Sequence, residues 1–343
     1  MEDRELKAAI IGCGNIARVH AACLEYMEGI KLVAICDIVL DRAETLAKIY
    51  KANIYKTYEE MLEKETIDVV HICTPHHLHV PMSIYCLEKG KYIFLEKPPI
   101  ISTQQLLELG AVPQIDRLGV CFQNRYNTGL RWVRELLASG RTGRILGARG
   151  IVTWSRDISY YKESSWRGQL DKEGGGALIN QSIHTLDILV YLMGTPLKVS
   201  ALMGNHHLKE AITVEDTMEA YIEFETGKVV FYATTAYCVN SIPIIEVSCE
   251  NMTIRLEEPR ITLIHKNGEV EVISVEKSEA FGKDYWGNGH QACISAYYDA
   301  VRGGRNLPLR LIDVKDTMEL MLAMYQSANS LDCEEIILKP VIV

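Results

Sequence analysis

An apolar run, Tyr92 to Leu95, ends abruptly in Glu96-Lys97-Pro98-Pro99. A carboxylate accepts hydrogen bonds, an amine donates them or carries a proton, and the prolines stop the chain from continuing as helix. If the run is a parallel strand, Glu96 and Lys97 fall outside its carboxyl end, where open α/β sheets bind ligands. Taken alone, the pair equally describes a solvated Glu-Lys contact before a turn, which contributes little. Its meaning depends on what other segments bring to the same edge.

A second segment has matching chemistry. Trp166-Arg167 is followed by Gly174-Gly175-Gly176 and then by Asn180, His184 and Asp187. Spacings of four and three residues place those three side chains along one side of a helix, and a polar stripe there should face a cleft. The glycines give a flexible entry to that helix and let another backbone or a ligand approach closely. A histidine on such a helix also serves as a satisfied core residue, so His184 gains meaning only beside the glycine lead-in.

Three further histidines, His76, His77 and His79, follow Thr74-Pro75. No acid or cysteine accompanies them as a ligand, so the sequence predicts no metal site. The loop is expected to lie along a bound cofactor, with His79 near the start of the next helix. The ten cysteines are scattered singly, several inside apolar runs (Cys36, Cys73, Cys121, Cys249), and are expected to be buried free thiols in a reducing compartment.

The elements that must position these groups begin at Lys7 to Ile11, an apolar run leading into Gly12-Cys13-Gly14-Asn15-Ile16-Ala17. This reads as strand, glycine turn and helix, the helix spanning Arg18 to Met27. Gly12 permits the tight turn, Gly14 leaves room for a pyrophosphate, Ala17 keeps helix and strand close, and the helix start faces the phosphates. A second strand, Lys31 to Cys36, ends in Asp37, placed to accept hydrogen bonds from adenosine ribose hydroxyls and to repel a 2′-phosphate. The cofactor expected is therefore NAD rather than NADP. Asp41 and Glu44 have capping-box spacing at the start of a helix running to about Tyr50. Strands at Val69 to Cys73 and Gly119 to Gln123, with helices up to Lys89 and over Ser102 to Leu109, complete an alternating series that predicts a doubly wound parallel sheet.

Beyond residue 123 the rhythm changes. After a helix over Thr128 to Ser139, period-two runs appear at Thr217 to Phe224, Lys228 to Thr235, Ile244 to Ser248, Arg260 to His265 and Glu269 to Ser274, joined by hairpin signals. The fold class expected is α/β: residues 1–123 as a Rossmann domain, and 124–343 as an α+β domain with a large, mostly antiparallel, open-faced sheet. A bare sheet face is left to solvent or to a partner subunit, so a homodimer or homotetramer through that face is expected. With a net charge of −9 and no basic run, nucleic acid is an unsuitable partner. No apolar run spans a bilayer and no signal segment opens the chain, so a soluble, cytoplasmic protein is expected.

The glycine turn, Asp37, Thr74-Pro75 through His79, Glu96-Lys97-Pro98, and Gly174-Gly175-Gly176 to His184 together resemble the glucose-fructose oxidoreductase, inositol dehydrogenase and rhizopine catabolism family across nearly the whole chain. The resemblance implies a nicotinamide cofactor in the cleft between two domains and oxidation of a secondary alcohol of a sugar, sugar acid or cyclitol, or the reverse. It implies that Glu96 lies near the nicotinamide ribose, that Lys97 orients the substrate hydroxyl and relays its proton, and that His184 is the general base. Gly12, Gly14, Asn15, Ile16, Asp37, Thr74, Pro75, His79 and Asn124 complete the implied cofactor set. Gln123 to Tyr126, Arg125 among them, and Trp166-Arg167 resemble family segments that face the cleft. The loops around Trp154 to Trp166 and Tyr285 to His290, rich in rings that stack on sugar faces, are expected to set substrate specificity. The family often has Asp where this chain has Asn180, so His184 lacks that carboxylate and Lys97 carries more of the proton transfer. Redox-neutral chemistry on tightly held NAD, or a non-catalytic nucleotide or sugar sensor, would use the same fold.

Overall fold

The computed structural model describes residues 4–275, 289–330 and 332–338. The first part alternates strand and helix: β1 (Leu6–Ile11), α1 (Asn15–Glu25), β2 (Ile30–Cys36), α2 (Leu40–Tyr50), β3 (Asn53–Tyr55), α3 (Tyr58–Lys64), β4 (Val69–Ile72), α4 (His79–Glu88), β5 (Tyr92–Glu96), α5 (Thr103–Gly110) and β6 (Leu118–Cys121). Its six strands are all parallel in the order β3-β2-β1-β4-β5-β6. Buried on both faces, they read as near-continuous apolar runs, as parallel strands must. The order reverses between β1 and β4, so the crevice lies above the ends of β1, β4 and β5. Glu96 closes β5 at that rim.

The second part comprises α6 (Thr128–Ala138), β7 (Ile145–Thr153), α7 (Ile158–Lys162), α8 (Leu170–Glu173), α9 (Ile183–Met193), β8 (Pro196–Gly204), β9 (Thr217–Phe224), β10 (Lys228–Thr234), β11 (Ile244–Cys249), β12 (Met252–Glu257), β13 (Arg260–His265), β14 (Val270–Ser274), α10 (Gly289–Arg302), α11 (Leu311–Asn329) and β15 (Ile336–Ile337). Among the described residues nine strands form one sheet in the order β14-β13-β12-β11-β7-β10-β9-β8-β15, antiparallel except for the parallel pair β7 and β10. Helices α6, α9 and α11 cover one face. Alternate residues of β9 and β10 are buried and accessible, which leaves Leu202, Tyr221 and Val230 on the uncovered face.

Past residue 123 the chain also returns to the first sheet: α10 packs on α1, β5 and β6, and Val120 N–H donates to Leu309 O at 2.8 Å. Helical periodicity says that α10 has an apolar face, but not which sheet it covers. Two expectations need correction. The Asp41/Glu44 capping box is absent, since α2 starts at Leu40 after Val39. Asp37 holds that entry instead, its Oδ1 accepting Val39 N–H at 2.8 Å. The helix expected after the three glycines opens as a π-helical turn over Ala177–Ser182 before α9 begins.

Candidate active site

The glycine turn fits a dinucleotide. Gly12 sits at φ +88°, and a Cβ there would come within 2.7 Å of Cys73 O, so the turn after β1 is packed against the end of β4. Gly14 differs: a Cβ would meet no atom of the described residues within 4 Å. It is the N-cap of α1 and no side chain caps the helix there, which leaves the amides around Asn15 and Ile16 for an anion. At the end of β2, Asp37 accepts Cys13 N–H at 2.7 Å and Val39 N–H at 2.8 Å, one on each carboxylate oxygen. Each oxygen keeps a second lone pair for a ribose hydroxyl.

His79 is a brace. Its Nδ1 lies 2.7 Å from Pro98 O and its Nε2 2.9 Å from Thr74 O, so it ties the loop after β4 to the loop after β5. His76 and His77 likewise face backbone oxygens, of Glu173 and Lys172, at 2.8 and 3.3 Å. His76 and His77 thus join the loop to the second part, while His79 braces two loops within the first.

Behind Glu96 lies a buried polar chain. His20 Nε2 is 2.9 Å from Glu96 Oε1, His20 Nδ1 is 3.0 Å from His71 Nδ1, and His71 Nε2 is 2.8 Å from Tyr298 Oη. Burial holds the His71 pKa well below the usual histidine range, so its ring is neutral and carries one N–H. It therefore donates to one neighbour and accepts from the other, and the hydrogens of the chain run in one direction. Burial alone would raise the Glu96 pKa, but the His20 hydrogen bond and the charges of His20, His290 and Lys97 outweigh it and bring it to about 2. His20, Glu96 and Cys121 also bring three ligand-type atoms within 4.8 Å of one another. The His20–Glu96 hydrogen bond accounts for two of them, and burial pushes the Cys121 thiol pKa far up, against metal-binding thiolate.

Lys97 reaches across to the second part. Its Nζ donates to Asn180 O at 2.8 Å and lies 3.5 Å from Asn180 Oδ1. Burial lowers its pKa, against the pull of Glu96 and Glu173. His184 Nε2 faces Gln123 Nε2 at 3.3 Å, and His184 Nδ1 is buried with no hydrogen-bond partner among the described residues. Burial, then the charge on Lys97, lowers the His184 pKa well below its usual value. Asn124 Oδ1, in the same short turn as Gln123, is likewise buried and unpartnered. A buried His184 Nδ1 without a partner among the described residues, near the Lys97 amine, is what a cleft shaped for a polar ligand presents.

The polar stripe is interrupted after His184. Asp187 is buried and takes Arg125 Nε and Nη2 at 2.8 and 2.6 Å, with Thr317 Oγ1 at 2.8 Å. Arg125 therefore braces α9 against the turn after β6, and its guanidinium is turned from the cleft role expected of it. The π-helical turn ends at Ser182 and so shifts Asn180 relative to His184, whereas His184 and Asp187 share regular α9 and part because Arg125 and Thr317 hold the Asp187 carboxylate. His290, expected to face substrate, is buried beside the His20 ring at a centroid distance of 6.5 Å, and burial lowers its pKa to about 4. Tyr285 lies outside the described residues.

Trp166 and Arg167 each pack against a neighbouring ring. The Trp166 ring lies 4.7 Å from that of His76, and the Arg167 guanidinium lies 4.5 Å from the Tyr160 ring centre. Arg156, which the sequence did not single out, sits 4.9 Å from the same ring and donates to Gln181 Oε1 at 3.0 Å. Three other residues escaped sequence reasoning: His20, Gln181 and Glu173. The last is buried, accepts hydrogen bonds from Gly168 N–H and Asn180 Nδ2, and immediately precedes the three glycines, the one signal that could have marked it.

Fold and cleft define a Rossmann-type oxidoreductase. Residues 6–124 match the model of the oxidoreductase family with an NAD-binding Rossmann fold, and residues 130–255 match that of the GFO/IDH/MocA carboxyl-terminal domain. The chain belongs to the Gfo/Idh/MocA oxidoreductase family and is an NAD-dependent dehydrogenase by class. It is 28% identical to the D-glucoside 3-dehydrogenase of Escherichia coli, over 96% of this chain and 97% of that one. It is 29% identical to scyllo-inositol 2-dehydrogenase (NAD(+)) of Bacillus subtilis, over 66% of each. Among solved structures, the WlbA dehydrogenase of Chromobacterium violaceum in complex with NADH and UDP-GlcNAcA is 28% identical, with a TM-score of 0.82, covering 100% of this chain and 98% of that one. The Bordetella pertussis WlbA structure, at 23% identity and a TM-score of 0.87, shares the fold.

Proposed function

We propose that this protein oxidises a secondary alcohol of a sugar, sugar acid or cyclitol with NAD, or reduces the corresponding ketone, with Lys97 and His184 handling the hydroxyl. The observation that carries the reading is the unpartnered, buried Nδ1 of His184 beside the amine of Lys97. Bound nicotinamide would supply the hydride acceptor, and the amides at the start of α1 with Asp37 would hold the dinucleotide.

The substrate hydroxyl is held between Lys97 Nζ and His184 Nδ1. Burial favours the neutral form of both groups, and only a neutral group can take up a proton. Among the described residues no carboxylate hydrogen-bonds to His184, whereas Glu96 and Glu173 both favour the charged form of Lys97. The proton therefore comes to rest on Lys97, with His184 positioning the oxygen. Positioned acid-base groups of this kind contribute about a hundred- to ten-thousand-fold.

The Asp37 carboxylate favours NAD over NADP, because a 2′-phosphate beside it would meet charge of the same sign. The accessible face of the nine-stranded sheet favours self-association, as a dimer or tetramer. The test is NADH formation, followed by absorbance, across a panel of sugars, sugar acids and cyclitols, with Lys97→Ala alongside. A signal lost in the variant, with NADH binding retained, supports the reading, and equal turnover in the variant overturns it. Product formed without net NADH would point to redox-neutral chemistry, and silence with NAD bound to a sensor.

A further inference from the structure

We propose that Glu173 is a positioning residue for Lys97, acting by fixing which end of the Asn180 side-chain amide faces that amine. The inference rests on the reading of Lys97 as the proton-handling group.

An ionised carboxylate only accepts hydrogen bonds. Glu173 divides its two oxygens between two donors: Oε2 takes Gly168 N–H and Oε1 takes Asn180 Nδ2. The first donor cannot move aside. Gly168 sits at φ +72°, a Cβ there would lie 2.5 Å from Ile212 Cγ2, and its oxygen accepts Thr213 N–H at 2.8 Å. With Nδ2 committed to Glu173, Asn180 must turn Oδ1 toward Lys97, whose Nζ already reaches Asn180 O at 2.8 Å. A flipped amide would set two N–H groups against an ammonium. The acid absent at position 180 is thus supplied from one residue behind it, relayed through an oriented dipole. Burial raises the Glu173 pKa to about 7, against the hydrogen bonds from Gly168 and Asn180, so the relay operates where the carboxylate is ionised.

Glu173→Gln leaves one acceptor oxygen for two donors. If that oxygen stays with Gly168, the new amide faces Asn180 and turns its NH2 toward Lys97. The exchange Glu173→Gln/Asn180→Asp restores every partner: the new glutamine accepts from Gly168 and donates to the new aspartate, whose carboxylate faces Lys97.

The test is competitive acetylation of the full-length protein with acetic anhydride across pH, reading Lys97 by peptide mass spectrometry. Glu96, Cys121, Arg167, His76 and His184, which also surround Lys97, are the same in every variant. Glu173→Gln should lower the Lys97 titration midpoint by about one pH unit, a roughly tenfold gain in reactive amine at neutral pH. The exchange variant should return the midpoint to the wild-type value or above. Asn180→Ala removes the relay without disturbing the Gly168 turn and should lower the midpoint similarly, so it decides the matter if Glu173→Gln does not fold. An unchanged midpoint in the single variants, or an exchange variant no better than Glu173→Gln, overturns the proposal. With an active panel substrate, Glu173→Gln should also lose about a hundredfold in kcat, the cost of a misplaced group, and the exchange should recover it. Full turnover by Lys97→Ala would sink the reading of Lys97 itself, while the labelling midpoints would still judge the geometry.

Discussion

His20 and Glu96 lie 76 positions apart in sequence and meet at 2.9 Å, both buried, at the point where β5 leaves the first sheet. The carboxylate is held where Lys97 follows it, and its depressed pKa is a statement about stability. A carboxyl at about 2 in the folded state, against the ordinary 4.5, contributes stability that is present above about pH 4.5 and lost as the pH falls toward 2. His20→Leu removes the donor and leaves a buried charge, which typically costs about 3 kcal/mol at neutral pH. Urea unfolding at pH 7 and at pH 4 checks this: the variant should be weaker at pH 7 and show a shallower loss on acidification. A variant as stable as wild type at pH 7 would deny the contact that role.

The two glycines of the first turn should separate folding from cofactor binding. Gly14→Ala places its methyl group in open space at a φ of −74°, so stability should change by less than about 0.5 kcal/mol. The same methyl would stand where the pyrophosphate is expected, and NADH affinity, read by fluorescence titration, should fall by roughly tenfold or more, equivalent to about 1.4 kcal/mol. Gly12→Ala should instead destabilise the protein by about 1 kcal/mol or more, because it combines a positive φ with a clash at Cys73 O. Equal NADH affinity in Gly14→Ala and wild type would remove the turn from the cofactor site.

Cofactor choice can be measured separately. Asp37 should make the protein bind NADH more tightly than NADPH, and Asp37→Asn should narrow the gap. The amide would also leave either Cys13 N–H or Val39 N–H without its acceptor, so affinity for NADH itself should fall. Equal affinities in the wild type would set aside the charge argument.

Much of this site was legible because it is local. A strand ending in Glu96-Lys97-Pro98, a glycine turn and a glycine lead-in to His184 are each set by a few adjacent residues, and those segments converge. What escaped depends on contacts between distant segments or on a shift of register. The Ala177–Ser182 π-helical turn, in which Ser182 Oγ reaches back to Ala177 O at 2.7 Å, shifts Asn180 relative to His184 from the spacing of an ideal helix, and Asp187 leaves the stripe through its contacts with Arg125 and Thr317. Arg125 looked like a cleft residue until its partner 62 positions away was known. The return of α10 to the first sheet has no sequence signature, since an apolar helix face is indifferent to which sheet it covers.

The Arg125–Asp187 pair makes that difference measurable. It is a two-pronged contact whose carboxylate also accepts from Thr317, and both side chains are nearly inaccessible. Asp187→Asn leaves the guanidinium buried without a counter-charge and should cost about 3 to 5 kcal/mol in unfolding free energy. Turnover per folded molecule should change far less than in Lys97→Ala, because neither group touches the orphaned atoms of the cleft. Comparable losses of turnover at full stability would return Arg125 to the substrate site.

The accessible sheet face gives the last prediction. Leu202, Tyr221 and Val230 lie on β8, β9 and β10 and are 45–56% exposed; Val230 pairs directly with Tyr221, and Leu202 lies diagonally from Tyr221, opposite Glu219. Exposed apolar side chains grouped on one face of a sheet whose opposite face is covered commonly mark a protein interface. Val230→Glu puts a charge at the centre of the patch, on a side chain that contributes nothing to the core beneath. Light scattering at micromolar concentration should show the wild type as a dimer or tetramer and the variant with a smaller mass. NADH affinity should be preserved, because the glycine turn and Asp37 belong to the other sheet. A wild-type monomer, or a variant of unchanged mass, would leave this face to solvent and remove it from the assembly.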